Sequence, residues 1–388
     1  MFAKTSLTDW ENIVKKQLKS EDLYGALQKD NLEGVLVKPY YGKSKDGLSP
    51  LPKVAESTHL VAEYSASLDE NVSAILLNQN VEMLEDKVIF INNKDLAEHI
   101  SPLESNQYFS LIDVFSDDTD GVLKENLAKE LLEKSFGRNI CIDVALHQNA
   151  GASIIQQLAL ALSKTKDLLE VFGAEILDRL VYRLAVGGHY FFEIAKIRAL
   201  KLLVNELFKE YGREGIPFIF AENTLRNKSA HDPENNLIRS TLEMSAAMVA
   251  GADAVFSHDF KMEEGDGLSA EIAFKQQIVL AYESIINVFE DAAGGSYLVE
   301  DLTRQFAEKS WQSFLEMEEA GGYAELFKSG KIQKEIYNHA VLEQQWVEDG
   351  KISLIGVNLY PKLEKTKSVE ELYDPFALKA VRWSAMYE

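Results

Sequence analysis

Apolar residues fall into eight short β-branched, aromatic or alternating blocks between residues 55 and 262. They are His59 to Tyr64, Ala74 to Leu77, Val88 to Ile91, Phe109 to Val114, Ile140 to Leu146, Leu180 to Val186, Pro217 to Phe220 and Ala254 to Phe256. Blocks of this kind suit parallel strands covered on both faces. Between the later blocks the apolar period becomes helical. Ile154, Ile155, Leu158, Leu162, Thr165, Leu169 and Phe172 share one face, with Ser153 placed to cap the first turn. Ile197, Leu200, Val204, Leu207, Phe208 and Tyr211 share another. Asp232-Pro233 opens a third helix, Asn236 to about Ala250. Eight strands with crossover helices predict a (β/α)8 TIM-type barrel. The early strands lie close together in sequence, so an abbreviated first half is expected. The pattern also allows a doubly wound open sheet.

Two flanking zones complete the pattern. Residues 1–54 form an arm and connector: an amphipathic helix from Asp9 to Lys19, an extended run from Val35 to Gly42, then GKSKDGLSPLP. Pro39 keeps the extended run out of a sheet interior. The arm is too thin to fold alone and is expected to pack on the barrel or on a partner. Residues 263–388 predict a helical extension and tail, with helices from Leu268 to Asn287 and from Asp301 to Ala320. Val357 to Pro361 has the look of an ordered end.

Composition narrows the classes. The chain has 388 residues, enough for a sizeable core. Its formal net charge is −22, which argues against nucleic acid and anionic membrane surfaces as partners. The single cysteine, Cys141, lies in an apolar run and reads as a small buried side chain. It allows no intrachain disulfide, which suits a cytoplasmic protein. The amino terminus lacks a signal-peptide h-region, and no apolar stretch approaches the ~20 residues that span a bilayer.

The segment Arg179 to Leu200 carries the most chemistry. A buried-strand pattern ends in Gly187-Gly188, and His189 and Glu193 follow as the chain turns into a helix. Reactive groups in β/α folds sit at such carboxyl ends of strands. Glu193 falls in a first helical turn, where a carboxylate also favours the dipole. His258-Asp259 does not make a dyad on a strand, because neighbours point to opposite faces. His147 reads as structural. Gly265 to Ala270 is a loop with Ser269 as N-cap, and Gly42-Lys43-Ser44 is not a P-loop, since Val37 stands where its first glycine belongs. Metal-ligand spacings are absent from the sequence.

The segment resembles the strand-Gly-x-Asn-Phe-Phe-x-Glu-Ile-Ala-Lys-x-Arg signature of the adenosylcobalamin-dependent methylmalonyl-CoA mutases. Further matches follow in the family's order. They are Asp9-Trp10, Val37 to Tyr41, Gln148 to Ala152 with Gln156 to Ala159, Asp232 to Arg239, Asp291 to Tyr297 and Val357-Asn358. The resemblance implies a barrel that encloses an acyl-CoA while the cofactor carries the radical chemistry. It also implies a separate cobalamin-binding domain with an Asp-x-His-x-x-Gly motif, which this sequence lacks.

The departures fall where that chemistry would be done. His189 replaces the signature's Asn, while Glu193 matches the glutamate that contacts ribose in the family. Phe218 to Leu225 replaces a stretch whose histidine binds the substrate carbonyl. Glu222 there would repel a developing oxyanion. Phe256-Ser257-His258 replaces the family's His-Thr-Asn. The resemblance therefore points to the family's small subunit, without catalytic residues or its own cofactor. The expected partner is a homologous large subunit that binds adenosylcobalamin and interconverts methylmalonyl-CoA and succinyl-CoA. His189, Glu193, Glu222 and His258 would line a remnant pocket. Phe220, Phe256, Tyr190 and Phe191 are expected to fill the barrel. The arm is expected to wrap the large subunit in a heterodimer, and absence of that subunit to favour self-association through the exposed arm. Two other readings stay open: an active acyl-CoA mutase barrel served by a separate cobalamin-binding chain, and a stand-alone acyl-CoA or adenosyl-group binding protein.

Overall fold

Eight parallel strands form one sheet: β1 (His59–Glu63), β2 (Ala74–Leu77), β3 (Val88–Ile91), β4 (Gln107–Ser110), β5 (Ile140–Asp143), β6 (Leu180–Val186), β7 (Phe218–Asn223) and β8 (Ala254–Phe256). The computed structural model describes residues 5–42, 47–65, 72–81, 84–117, 119–262 and 265–388. The connector's Lys43 to Asp46 lies outside them. Strand order is β4-β3-β2-β1-β8-β7-β6-β5, and the end strands meet. Parallel bridges join Phe109 to Arg138 and Asp113 to Cys141 across that seam. Ser110 N–H donates to Arg138 O (2.9 Å) and Cys141 N–H to Ile112 O (3.0 Å). The sheet is thus a (β/α)8 barrel rather than an open doubly wound sheet.

The helices explain the spacing of the sequence pattern. The arm carries α1 (Leu7–Leu18) and α2 (Leu23–Leu27). The first half of the barrel carries only short helices, α3 (Lys94–His99) and α4 (Glu125–Leu132), among the described residues. The second half has α5 (Ala145–Ala150), α6 (Ile154–Phe172), α7 (Tyr190–Glu210), α8 (Pro233–Val249) and α9 (Gly267–Ile278). The extension adds α10 (Tyr297–Glu319), α11 (Gly322–Lys328) and α12 (Lys331–Glu348). Ser153 caps α6 with Gln156 in a reciprocal box, and Pro233 opens α8.

Several boundaries differ from the sequence reading. β5 stops at Asp143, whose Oδ1 accepts the Ala145 N–H (2.8 Å) and turns the chain into α5. Residues 111–114 leave β4 to bridge the seam. The cap of α9 is Asp266; Ser269 is its reciprocal partner one turn in. The helix foreseen to Asn287 ends at Ile278, continues as one π turn from Val279 to Glu283, and is left behind at Ile285, whose φ is 55°.

Strand alternation separates two cores. Outward side chains such as Ile140, Ile142, Tyr182 and Ile219 pack under the helices. Inward ones form a second cluster: Val61, Ala74, Leu76, Phe90, Phe109, Leu111, Val181, Phe218, Phe220, Ala254 and Phe256. No described helix is long and apolar enough to cross a membrane.

Candidate functional site

Phenylalanine fills the barrel axis. Phe90 stacks on Phe109 (ring centroids 5.3 Å) and meets Phe220 at 5.0 Å. Phe109 stacks on Phe218 at 4.9 Å, and Phe256 reaches Phe220 at 6.5 Å. All five rings are buried. The Arg138 guanidinium lies 5.2 Å from the Phe218 ring, with Nη1 held by the carbonyls of Leu177 and Leu180. Phe220 and Phe256 are where the sequence reading put them. Tyr190 and Phe191 are not in this cluster. They sit at the start of α7, where Tyr190 bonds Ser245 (3.1 Å) and Phe191 is exposed.

Above the rings, the inward positions turn charged. Arg183 follows Val181 on β6, Glu222 follows Phe220 on β7, Asp143 follows Cys141 on β5, and His258 follows Phe256 beyond β8. Arg183 donates to Glu222 Oε2 from Nε (3.0 Å) and Nη2 (2.6 Å), and from Nη1 to Asp143 (3.2 Å). His258 Nε2 lies 3.6 Å from Glu222 Oε2. Burial opposes the charge on Glu222, but Arg183 and His258 outweigh it and draw its carboxyl down to about 2. Burial works against the charge on Arg183, but Glu222 and Asp143 outweigh it and keep the guanidinium above its usual range.

A second buried network flanks the seam. Lys164 on α6 donates to Asp113 (2.9 Å), Asp117 (2.6 Å) and the Asp143 carbonyl (3.3 Å). Tyr323 donates to Asp117 (2.6 Å) and lies 3.1 Å from His147 Nε2. Burial and then Lys164 push His147 down to about 4, so it is neutral at pH 7. His147 belongs to α5 rather than to a strand end and is buried beside Tyr323 and Asp117.

His189 and Glu193 occupy a different place. They line a cavity of about 160 Å³ between α6, α7, the arm at Asp30 to Glu33, and the carboxyl-terminal residues Trp346, Lys351 and Trp383. His189 is exposed, stacks on Phe192 (5.0 Å) and makes no cap hydrogen bond. Glu193 is buried and paired with Lys196 at 2.5 Å. Lys196 also donates to Gln148 (2.8 Å), Gln157 (3.3 Å) and the Ala185 carbonyl (2.6 Å). Gly187 lets these side chains approach the backbone: a Cβ there would lie 2.9 Å from Glu193 Oε1 and 3.1 Å from Gln148 Nε2.

The four candidates therefore form two groups. Glu222 and His258 belong to the barrel mouth, His189 and Glu193 to the cavity beside it. No hydrogen bond or ion pair joins the groups among the described residues. Asp259 accepts from Lys261 N–H (2.8 Å) and Ser269 Oγ (2.5 Å) and makes no dyad with His258. Sequence reasoning passed over Arg183, Asp143 and Lys164. Their signal was available: a lone arginine or lysine inside an apolar strand or helix needs a buried carboxylate nearby.

Comparison with known proteins bears on what such a barrel is. The methylmalonyl-CoA mutase family model matches residues 134–386, well over half of the chain. The chain belongs to the methylmalonyl-CoA mutase family. It is 31% identical over 226 residues to the methylmalonyl-CoA mutase small subunit of Porphyromonas gingivalis, covering 55% of this chain and 37% of that one. It is 29% identical over 237 residues to the methylmalonyl-CoA mutase of Rhizobium meliloti, covering 58% and 33%. A probable methylmalonyl-CoA mutase small subunit of Mycobacterium tuberculosis is 30% identical over 243 residues, covering 58% and 39%. The aligned region thus spans between a third and two fifths of these relatives' own lengths. Relatives named small subunit and relatives named simply methylmalonyl-CoA mutase match about equally well, so the family follows from sequence similarity while the role must be argued from the site.

Proposed function

We propose that this chain is the non-catalytic small subunit of a methylmalonyl-CoA mutase, paired with a homologous large subunit that binds adenosylcobalamin and acyl-CoA. One observation carries the reading: the axis through which an acyl-CoA would thread is taken by Phe90, Phe109, Phe218, Phe220 and Phe256. Opening it would mean moving several stacked rings out of a close-packed interior. The mouth does not fit the family's cofactor either. There Arg183 is shared between Asp143 and Glu222, and in the cavity beside the mouth Glu193 is held on Lys196. No step of the reaction is assigned to this chain.

The arm supports a role through association. Helix α1 has no buried residue, although Leu7, Trp10, Ile13, Val14 and Leu18 give it an apolar side. Leu7, Ile13 and Leu18 are all at least two-fifths exposed. Inside the chain α1 is held only lightly, by Trp10 stacked on Tyr40 (5.4 Å) and by Tyr24 donating to Glu11 (2.6 Å). An apolar helix face left uncovered suits a partner surface. The large subunit is its occupant in this reading, and the cytoplasm its compartment. Co-purification of the tagged native protein tests this. A homologous mutase chain recovered in equal amount supports the reading; a chain recovered alone, with bound acyl-CoA, contradicts it.

A further inference from the structure

Past α9 the chain displays apolar side chains instead of burying them. Tyr282, Ile285, Val288 and Phe289 are all exposed, while Leu280 and Ala281 just before them are buried. The backbone of this stretch is held from behind. Ser284 N–H donates to Val279 O (3.1 Å) and Ile286 N–H to Leu280 O (3.3 Å). The Asn287 carbonyl accepts from Thr58 N–H (3.0 Å) and from the buried Lys53 (2.5 Å). Asp291 is fastened by Arg198 and by Leu51 N–H. Ile285 has φ 55°, a conformation a β-branched residue rarely adopts. Such a residue persists only where its surroundings fix it, and strain of this kind gathers at functional positions. Four apolar side chains thus stand on a fixed ridge.

The ridge continues onto two helices. Leu268 on α9 and Val279 at its end lie about three turns apart on one side. Ile238 and Leu242 lie about one turn apart on α8. Gln276 joins the two helices, donating from Nε2 to Leu237 O (2.5 Å) and Thr241 Oγ1 (2.7 Å) beside them. All eight side chains are between 45% and 75% exposed. At roughly 200 Å² for a large apolar side chain, they show solvent on the order of 900 Å². The largest apolar patch of a typical monomer is about 300–600 Å², and one side of a standard interface buries about 800 Å². Leu7, Ile13 and Leu18 of α1 fall well short of that. The ridge also adjoins the arm. The connector meets it at Leu51 and Thr58. Tyr297, again exposed, opens α10 one turn before Asp301, where the arm's Lys38 binds.

We propose that this ridge is a second docking surface for the large subunit, larger than the one on the arm. The proposal rests on the reading of this chain as a small subunit. Charge favours a different chain over a second copy as the occupant. Glu283 and Glu290 are exposed beside the ridge, on a chain of formal net charge −22. A two-fold contact centred on the ridge would bring these carboxylates toward their own copies, which costs affinity. The matching surface is an apolar hollow rimmed by lysine or arginine.

Titration of the full chain with the homologous large mutase chain of the same organism tests it. Tyr282→Lys combined with Phe289→Lys should keep the melting temperature within about 2 °C, because both side chains are exposed. It should weaken binding about thirtyfold or more. Hydrogen exchange of the wild-type chain needs no variant: peptides covering residues 236–245 and 279–290 should slow in the complex, with β6 peptides unchanged. Affinity within about twofold of wild type, with exchange at both segments unslowed, overturns the proposal and leaves the small-subunit reading standing. So does a self-associated chain that the double variant splits while its affinity for the large chain holds. A wild-type chain that does not bind the large chain removes the small-subunit reading, and the ridge proposal with it.

Discussion

Arg183 on β6 grips one oxygen of Glu222 on β7 through two nitrogens, at 3.0 and 2.6 Å, directly above the inward-facing Phe220. The pair sits where a substrate's polar head would enter a barrel of this kind. The barrel supplies its own counter-ions there, and the carboxylate that looked hostile to an oxyanion is neutralised from within.

That pair should dominate the acid limb of stability. Glu222 is nearly fully buried, and its carboxyl is held at about 2 instead of 4.5. A depressed carboxyl contributes its stabilisation above the free value and loses it as pH falls toward the folded value. The shift corresponds to up to about 3 kcal/mol. Denaturant unfolding of Glu222→Gln against wild type should show a constant deficit from pH 5 to 8. The deficit should shrink from about pH 4.5 to about pH 2.

Lys164 is expected to hold the seam between β4 and β5. Its ammonium is wholly buried and joins Asp113 and Asp117. Lys164→Met leaves two carboxylates facing each other and should cost about 3–5 kcal/mol. Adding Asp113→Asn to that variant should recover part of the loss. Chemical denaturation of the single and double variants measures the coupling.

The barrel's outline was legible in the sequence because buried parallel strands are short, apolar and separated by helical periods. All eight strands were visible that way, as were the Ser153 and Pro233 helix starts. The charged mouth was not, because Arg183, Asp143 and Glu222 come from three strands and only the closed sheet brings them together. Phe218, Phe220 and Glu222 share the inward side of β7 by strand alternation, but nothing in the sequence shows that Phe90 and Phe109 meet the two rings across the axis. Family motifs had a further structural content that pattern alone hides. Arg198 of the signature and Asp291 of the Asp-Ala-Ala-Gly-Gly run form a buried ion pair, and Asp291 also accepts from Leu51 N–H (3.1 Å), tying the connector to the barrel. β5 was read too long because Asp143, a polar residue in an apolar run, turns the chain instead of extending it.

Helix α1 offers a clean test of the arm. Leu7, Ile13 and Leu18 are exposed, so changing all three to Ala should leave the melting temperature within about 2 °C. Affinity for the large subunit should fall at least about tenfold if these side chains are anchors. Unchanged affinity in a titration calorimeter would move the interface elsewhere, toward the exposed Tyr282, Val288 and Phe289 after α9.

Phe220 tests the packed axis. Phe220→Ala removes a ring that touches Phe90 and Phe256 and should cost about 3–5 kcal/mol. The variant should not acquire acyl-CoA binding, since Phe90, Phe109 and Phe218 still occupy the interior.

The central claim is that this barrel does no chemistry of its own. The most direct measurement is succinyl-CoA formation from methylmalonyl-CoA by the purified chain with adenosylcobalamin, alone and after addition of an isolated cobalamin-binding protein. The account expects no product above the protein-free control in either case, and product only when a catalytic large subunit is present. Turnover by the chain alone, or by the chain with only the cobalamin-binding protein, would contradict it.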